Sequence, residues 1–111
     1  MEIAYEDFRK VKIHVGTVLS VKNNEKARQP ALVLEVDFGN KIGIKTSSAK
    51  ITDYYNSGNL IGKQIIAVCN FPTKNIAGIV SEVLILGAVE TDEKVVLLHP
   101  SDRVENGLEV Y

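Results

Sequence analysis

The sequence predicts an all-β fold, a small five-stranded barrel with short helices at its margins. Three observations predict it. Residues 11–22 alternate apolar and polar side chains, the pattern of a long half-buried strand. Further apolar runs follow at 32–38, 42–46, 63–71 and 79–89, separated by clusters of Gly, Asn, Pro and Ser. The run from Val83 to Val89 is apolar on both faces, so it has the barrel interior on one side and needs another cover, which the N-terminal helix or a second subunit can supply.

The elements follow in order. Glu6 and Asp7 open a short helix over 5–10 and Arg9 and Lys10 close it, the charge order that the helix dipole favours. Tyr5, Phe8 and Val11 share one face, which must dock on something because so short a helix is unstable alone. In the first strand Val11, Ile13, Val15, Thr17, Leu19 and Val21 point one way, and Gly16 suggests a bulge or sharp bend. A polar loop, 23–30, leads to a second strand at 31–38. Gly39-Asn40 reads as a two-residue hairpin connection to a third strand at 41–46. Ser47 or Ser48 then caps a helix over 49–55 that Asn56-Ser57-Gly58-Asn59 ends. Residues 63–71 form the fourth strand and 79–89 the fifth. Thr91 to Lys94 is a turn and Val95 to Leu98 an extra strand. The tail holds a turn at Asn106-Gly107 and a small β-pair.

A Greek-key barrel of five strands, with a helix between strands three and four, is the OB-fold pattern. OB-folds bind ligands on the face of strands two and three and through the one–two and four–five loops. The four–five loop is here the stretch 70–80.

Composition narrows the chemistry. The 111 residues suit one domain with a core over about 7–107, and 45% hydrophobic with 24% charged residues is normal for a globular protein. No apolar run approaches the roughly 20 residues of a membrane span, and the acidic start, Met1 to Asp7, is unlike a signal peptide. Membrane insertion is not expected, and the expected location is the cytoplasm. A lone cysteine, Cys69, excludes an internal disulfide and a multi-cysteine zinc site. The net charge of −1 hides an asymmetry: residues 1–75 carry +4 and residues 76–111 carry −5.

An enzyme is not expected. His14 and His99 lack metal-ligand spacing, and neither a phosphate-cradling glycine loop nor a nucleophile elbow occurs. No cofactor or metal is therefore expected. A binding surface is better supported. Lys12, His14 and Lys45 fall on the expected ligand-facing side, and Ser47, Ser48, Asn70 and Ser81 offer hydrogen-bonding groups near strand ends. Phe71 can stack or pack, Ile76 can add apolar contact, and Lys74 sits at a loop tip. Ser81 and Glu82 are polar yet open the most apolar run of the chain, so they must be partnered, exposed or used.

Asp7-Phe8-Arg9-Lys10-Val11-Lys12-Ile13-His14-Val15-Gly16-Thr17-Val18 resembles the opening of the tRNA-binding OB domains, found as free dimers and at the C-terminus of methionyl-tRNA synthetases. Asp37-Phe38-Gly39, Gly43-Ile44-Lys45-Thr46-Ser47-Ser48-Ala49, Asn70-Phe71-Pro72, Ile76-Ala77-Gly78 and Ser81-Glu82-Val83-Leu84-Ile85-Leu86-Gly87 are closer to one branch, the export-related chaperone CsaA. The resemblance implies an OB-fold homodimer, built through terminal segments, that binds unfolded or precursor polypeptides and meets the export machinery. The alternative it implies is a structure-specific tRNA binder using the same face. The family's first-strand motif usually has arginine where this chain has His14. Its four–five loop usually carries a second proline and two arginines, where this chain has Thr73, Lys74 and Asn75. Both departures remove permanent positive charge, which favours polypeptide over tRNA.

Overall fold

The β1 strand, Ile13–Asn23, is the axis of the fold. Its first half pairs with β4 (Gln64–Val68) and its second half with β2 (Leu32–Asp37), which in turn pairs with β3 (Ile44–Ala49). A computed structural model describing residues 1–111 gives the sheet order β3-β2-β1-β4-β7, with β7 at Leu84–Ile85. The tail strand β10, Glu109–Val110, pairs with β1 at His14 and Ile13. Two hairpins complete the chain: β5 (Lys74–Ile76) with β6 (Ile79–Ser81), and β8 (Gly87–Val89) with β9 (Val95–Leu97). The result is the expected mostly-β OB barrel with few short helices.

The core is apolar and dense. Phe38, Leu34, Leu60, Ile65, Val18 and Val36 are each 2% exposed or less, and burying such side chains contributes roughly 1.5–3 kcal/mol each. Gly16 is required where β1 crosses Phe38. A Cβ there would stand 2.6 Å from Val36 and 2.8 Å from the Phe38 ring. The tail is latched by a second glycine. Gly107 has φ +93°, and a Cβ on it would lie 2.5 Å from the Phe38 carbonyl oxygen.

Several sequence expectations are corrected. The register shift of β1 falls between Val18 and Ser20, not at Gly16, and it reverses the facing of the strand's second half. Val18, ahead of the shift and opposite Val36, is buried, and Leu19, within it, is exposed. Gly39-Asn40 is no tight hairpin: Gly39–Ile42 form one helical turn, α2, closed by the Gly43 N–H donating to the Gly39 carbonyl. Ser47 and Ser48 cap no helix; both lie in β3. The helix between strands three and four is α3, Ser57–Leu60, and the Asn56 side chain caps it by accepting from the Gly58 and Asn59 N–H groups. Asn59 returns the bond to the Asn56 N–H, a reciprocal cap that fixes Leu60 in the core. The expected fourth strand is shorter, and the expected fifth is broken into β6, β7 and β8. The N-terminal helix, α1 (Tyr5–Arg9), has no buried residue. Its Tyr5 and Phe8 rings sit 6.4 Å apart, and Tyr5 is 62% exposed while Phe8 and Val11 are half-buried beside the tail, so its apolar face docks only in part within the chain.

Candidate ligand-binding face

The sheet's two edge strands, β3 and β7, are joined through residues 81–83. The Glu82 N–H donates to the Thr46 carbonyl at 2.7 Å, and the Thr46 N–H donates to Glu82 Oε1 at 3.0 Å. One turn of the pattern away, the Ser48 N–H donates to Ser81 Oγ at 3.0 Å. Ser47 Oγ donates to the Val83 carbonyl at 3.1 Å. Three side chains thus stand in for backbone partners and close the barrel. The polar residues that open the apolar run are accounted for by this seam: Ser81 is 8% exposed and Ser47 1%. Glu82 Oε2 also lies 3.8 Å from Lys45 Nζ, a half-buried pair at the edge of the seam.

Asn70 has a similar internal role. Its amide donates to the Lys10 carbonyl at 2.7 Å and its Oδ1 accepts from the Lys12 N–H at 2.9 Å, pinning the α1–β1 junction to the end of β4. Lys12 Nζ pairs with Glu109 at 3.7 Å, and His14 Nδ1 lies 2.9 Å from the Gly107 carbonyl oxygen. Lys12 and His14 thus sit beside the tail. Between these and the seam lies Cys69. Burial pushes its thiol up to about 11, and the nearby Lys45 charge pulls the other way.

The side chains left facing outward form a mixed surface. Phe71 is 50% exposed in the loop leaving β4. Ile44 at the start of β3 and Leu84 in β7 are 57% and 51% exposed on the strands the seam joins. Lys74, opposite Ser81 in the β5–β6 hairpin, is exposed, and Ile76 is half-buried. The hairpin turns at Ala77-Gly78, both with positive φ, a type I′ turn. On this pairing the Asn75 N–H and C=O point away from β6, so β5 presents an open edge.

The sequence reading missed the neighbouring loop. Asn24 is 7% exposed, and its amide donates to the Ile76 carbonyl at 3.2 Å and to Ser48 Oγ at 3.4 Å. It fastens the β1–β2 loop to the hairpin and to β3. The cleft beside it, about 530 Å³, carries Lys26, Arg28 and Lys50 and no carboxylate. The general position of OB ligand loops was the one signal for these cations; their own spacing has no pattern. No three His, Cys, Asp or Glu side chains converge to hold a metal ion.

The family model described as "Putative tRNA binding domain" matches residues 13–109. The chain belongs to this tRNA-binding family. It is 36% identical over 109 residues to a methionine–tRNA ligase of Porphyromonas gingivalis, covering 98% of this chain and 16% of that protein. The chain thus spans about a sixth of the length of such curated relatives. Among solved structures it is similar end to end to the chaperone CsaA of Bacillus anthracis str. Ames, with TM-score 0.95, 46% identity and all of both chains covered. It is equally similar to the CsaA chaperone protein of Picrophilus torridus, with TM-score 0.93 and 46% identity over 99% of this chain and 100% of that one. Within the family, this chain matches a whole CsaA chaperone but only a small part of a synthetase.

Proposed function

We propose that this protein is a dimeric, cytoplasmic, non-enzymatic chaperone that binds unfolded or precursor polypeptides and works with protein export. The observation that carries the reading is the exposure of three large apolar side chains, Ile44, Phe71 and Leu84, on the strands and loops that also carry Lys45 and Lys74. Such a surface suits the mixed side chains of an unfolded chain better than a run of phosphates. The seam occupies the side chains of Ser47, Ser81 and Glu82, Ser48 Oγ accepts from Asn24, and the α1–β1 junction occupies the Asn70 amide. Backbone recognition therefore passes to the open edge of β5, where an extended client adds as a strand. Phe71 and Ile76 take its apolar side chains, and Lys45 and Lys74 select among its charges.

The dimer rests on α1 and on the outer side of β8–β9. Tyr5, Val96 and Leu98 are 62%, 42% and 43% exposed and lack a cover. Two client sites per dimer add avidity on a long chain. Light scattering at micromolar concentration tests this: a species at the 12.2 kDa of one chain overturns it.

A second reading, tRNA binding, is favoured by one observation: Lys26, Arg28 and Lys50 line a cleft free of carboxylates. Titration with reduced, unfolded polypeptide and with bulk tRNA across a salt series separates the two. The chaperone reading expects polypeptide binding that survives moderate salt. Tight tRNA binding that falls steeply with salt, without polypeptide binding, overturns it.

A further inference from the structure

A second concavity shares no residue with the face described above. It lies between the end of α3, the start of β4 and the segment that follows β9, with a volume of about 550 Å³. That size falls in the roughly 300–1,000 Å³ range of small-molecule sites. Its floor is apolar and firm. Leu60, Ile65 and Leu97 line it while being only 2%, 1% and 8% exposed, so the cleft abuts the core directly.

The rim is polar, and it carries two cationic side chains, Lys63 and Arg103. The Tyr55 oxygen accepts from the Leu97 N–H at 2.9 Å, which leaves its own O–H to donate. Arg103 donates to the Gly62 carbonyl at 3.1 Å and is held 3.5 Å from Thr17 Oγ1, which orients the guanidinium and leaves further N–H groups. His99 places Nδ1 3.0 Å from the Pro100 carbonyl oxygen, the tautomer that leaves Nε2 as an acceptor. Lys63 is exposed and enters no ion pair. Two acceptors on the rim are already used: Gln64 Oε1 takes the Val104 N–H at 3.0 Å, and Asn59 Oδ1 takes the Asn56 N–H at 2.8 Å, while the Ser101 hydroxyl can donate or accept. No Asp or Glu lines the cleft.

We infer that this cleft binds a small organic anion, with an apolar or aromatic body against the half-buried Tyr55 and Pro100 and a carboxylate held by Lys63 and Arg103. Two cationic side chains with no carboxylate beside them disfavour a cation, and a neutral ligand forgoes the charge-assisted bonds. The half-buried Tyr55 and Pro100 distinguish this ligand from a bare phosphate, which gains nothing from covering them. The site is independent of the polypeptide face, so either can fail without the other.

The test is an NMR titration of the full chain with 3-phenylpropionate, with 3-phenylpropanamide and inorganic phosphate as controls. Saturable shifts centred on Leu60, Lys63, Leu97 and Arg103 are expected for the carboxylate, with the amide and the phosphate at least about tenfold weaker. Lys63→Gln changes an exposed residue, leaves the spectrum otherwise folded and weakens the carboxylate about tenfold. His99→Gln provides a second variant on the rim, expected to weaken binding less. Absence of saturable shifts overturns the inference. So does equal affinity for the amide or for phosphate, or a response centred on Lys26, Arg28 and Lys50.

Discussion

Ser81 Oγ accepts the backbone N–H of Ser48 at 3.0 Å across the line where the barrel closes. A side chain there does what a neighbouring strand's carbonyl does elsewhere in the sheet. Removing it strands a backbone donor in a site shielded from water. Ser81→Ala is expected to cost about 1–3 kcal/mol in urea unfolding, the desolvation penalty of an unpaired polar group. A loss no larger than that of the exposed-site control Ser57→Ala would contradict this account of the seam.

Glu82 allows its two roles to be separated. Its ion pair with Lys45 leaves both side chains 34% exposed, and such pairs contribute about 0–1 kcal/mol. Its bond from the Thr46 N–H is the firmer contribution. Glu82→Gln keeps an acceptor and is expected to change stability by less than about 0.5 kcal/mol, while Glu82→Ala costs about 1–2 kcal/mol. Equal losses in the two variants would assign the stabilisation to charge instead.

Ala77 has φ +50° in the β5–β6 turn, a region costly for a residue with a Cβ. Ala77→Asn gives the Asn-Gly pair that a type I′ turn prefers. An increase in stability of about 0.5–1 kcal/mol is expected, read as a raised Tm in calorimetry. A lowered Tm would show that Ala77 has packing the turn depends on.

Burial raises the Cys69 thiol from 9.0 to about 11. A group whose folded pKa lies above its unfolded value gives stability that is complete below the unfolded value and is lost as pH rises. Wild type is therefore expected to lose stability relative to Cys69→Ala between pH 9 and 11, the interval spanned by the two values. Stability curves that stay parallel over that range would argue against it. Alkylation of the native thiol by iodoacetamide is likewise expected to be slower near pH 8 than in an unfolded control.

The two readings of the outer face predict opposite mutational patterns. Phe71→Ala should weaken polypeptide binding and leave any tRNA binding within a few-fold. Lys26→Gln with Arg28→Gln should reduce the salt dependence of tRNA binding by about 0.9 log units for each duplex phosphate the protein no longer neutralises. Fluorescence anisotropy with both ligands measures the pattern, and the reverse outcome would exchange the two readings.

The element order and the OB class were legible because they rest on alternation, which barrel strands impose along the chain. The seam was less legible. Ser47 and Ser48 read as a break because a buried serine is costly without a partner, and the partners, Val83 and Ser81, lie more than thirty residues away. Asn56 read as the end of a helix when it is the beginning of one, since asparagine serves both positions. The break of the fifth strand at Glu82 follows from the same seam. Of the proposed face, Phe71 and Lys74 were found because turn residues mark the loop that holds them. Lys26, Arg28 and Lys50 were not, because solvated cations in a polar loop carry no period, and Asn24 alone brings that loop to the hairpin.

The closing seam is keyed to its register. A regular ladder tolerates a slip of two residues, because every side chain keeps its face. Here such a slip would set Ile79 or Val83 against the Ser48 N–H, and neither side chain has an acceptor. The barrel therefore closes in one register or stays open, and the Thr46 and Ser48 amides report that choice. Their hydrogen exchange should proceed together, at a rate set by the opening of the whole seam rather than by fraying from one end.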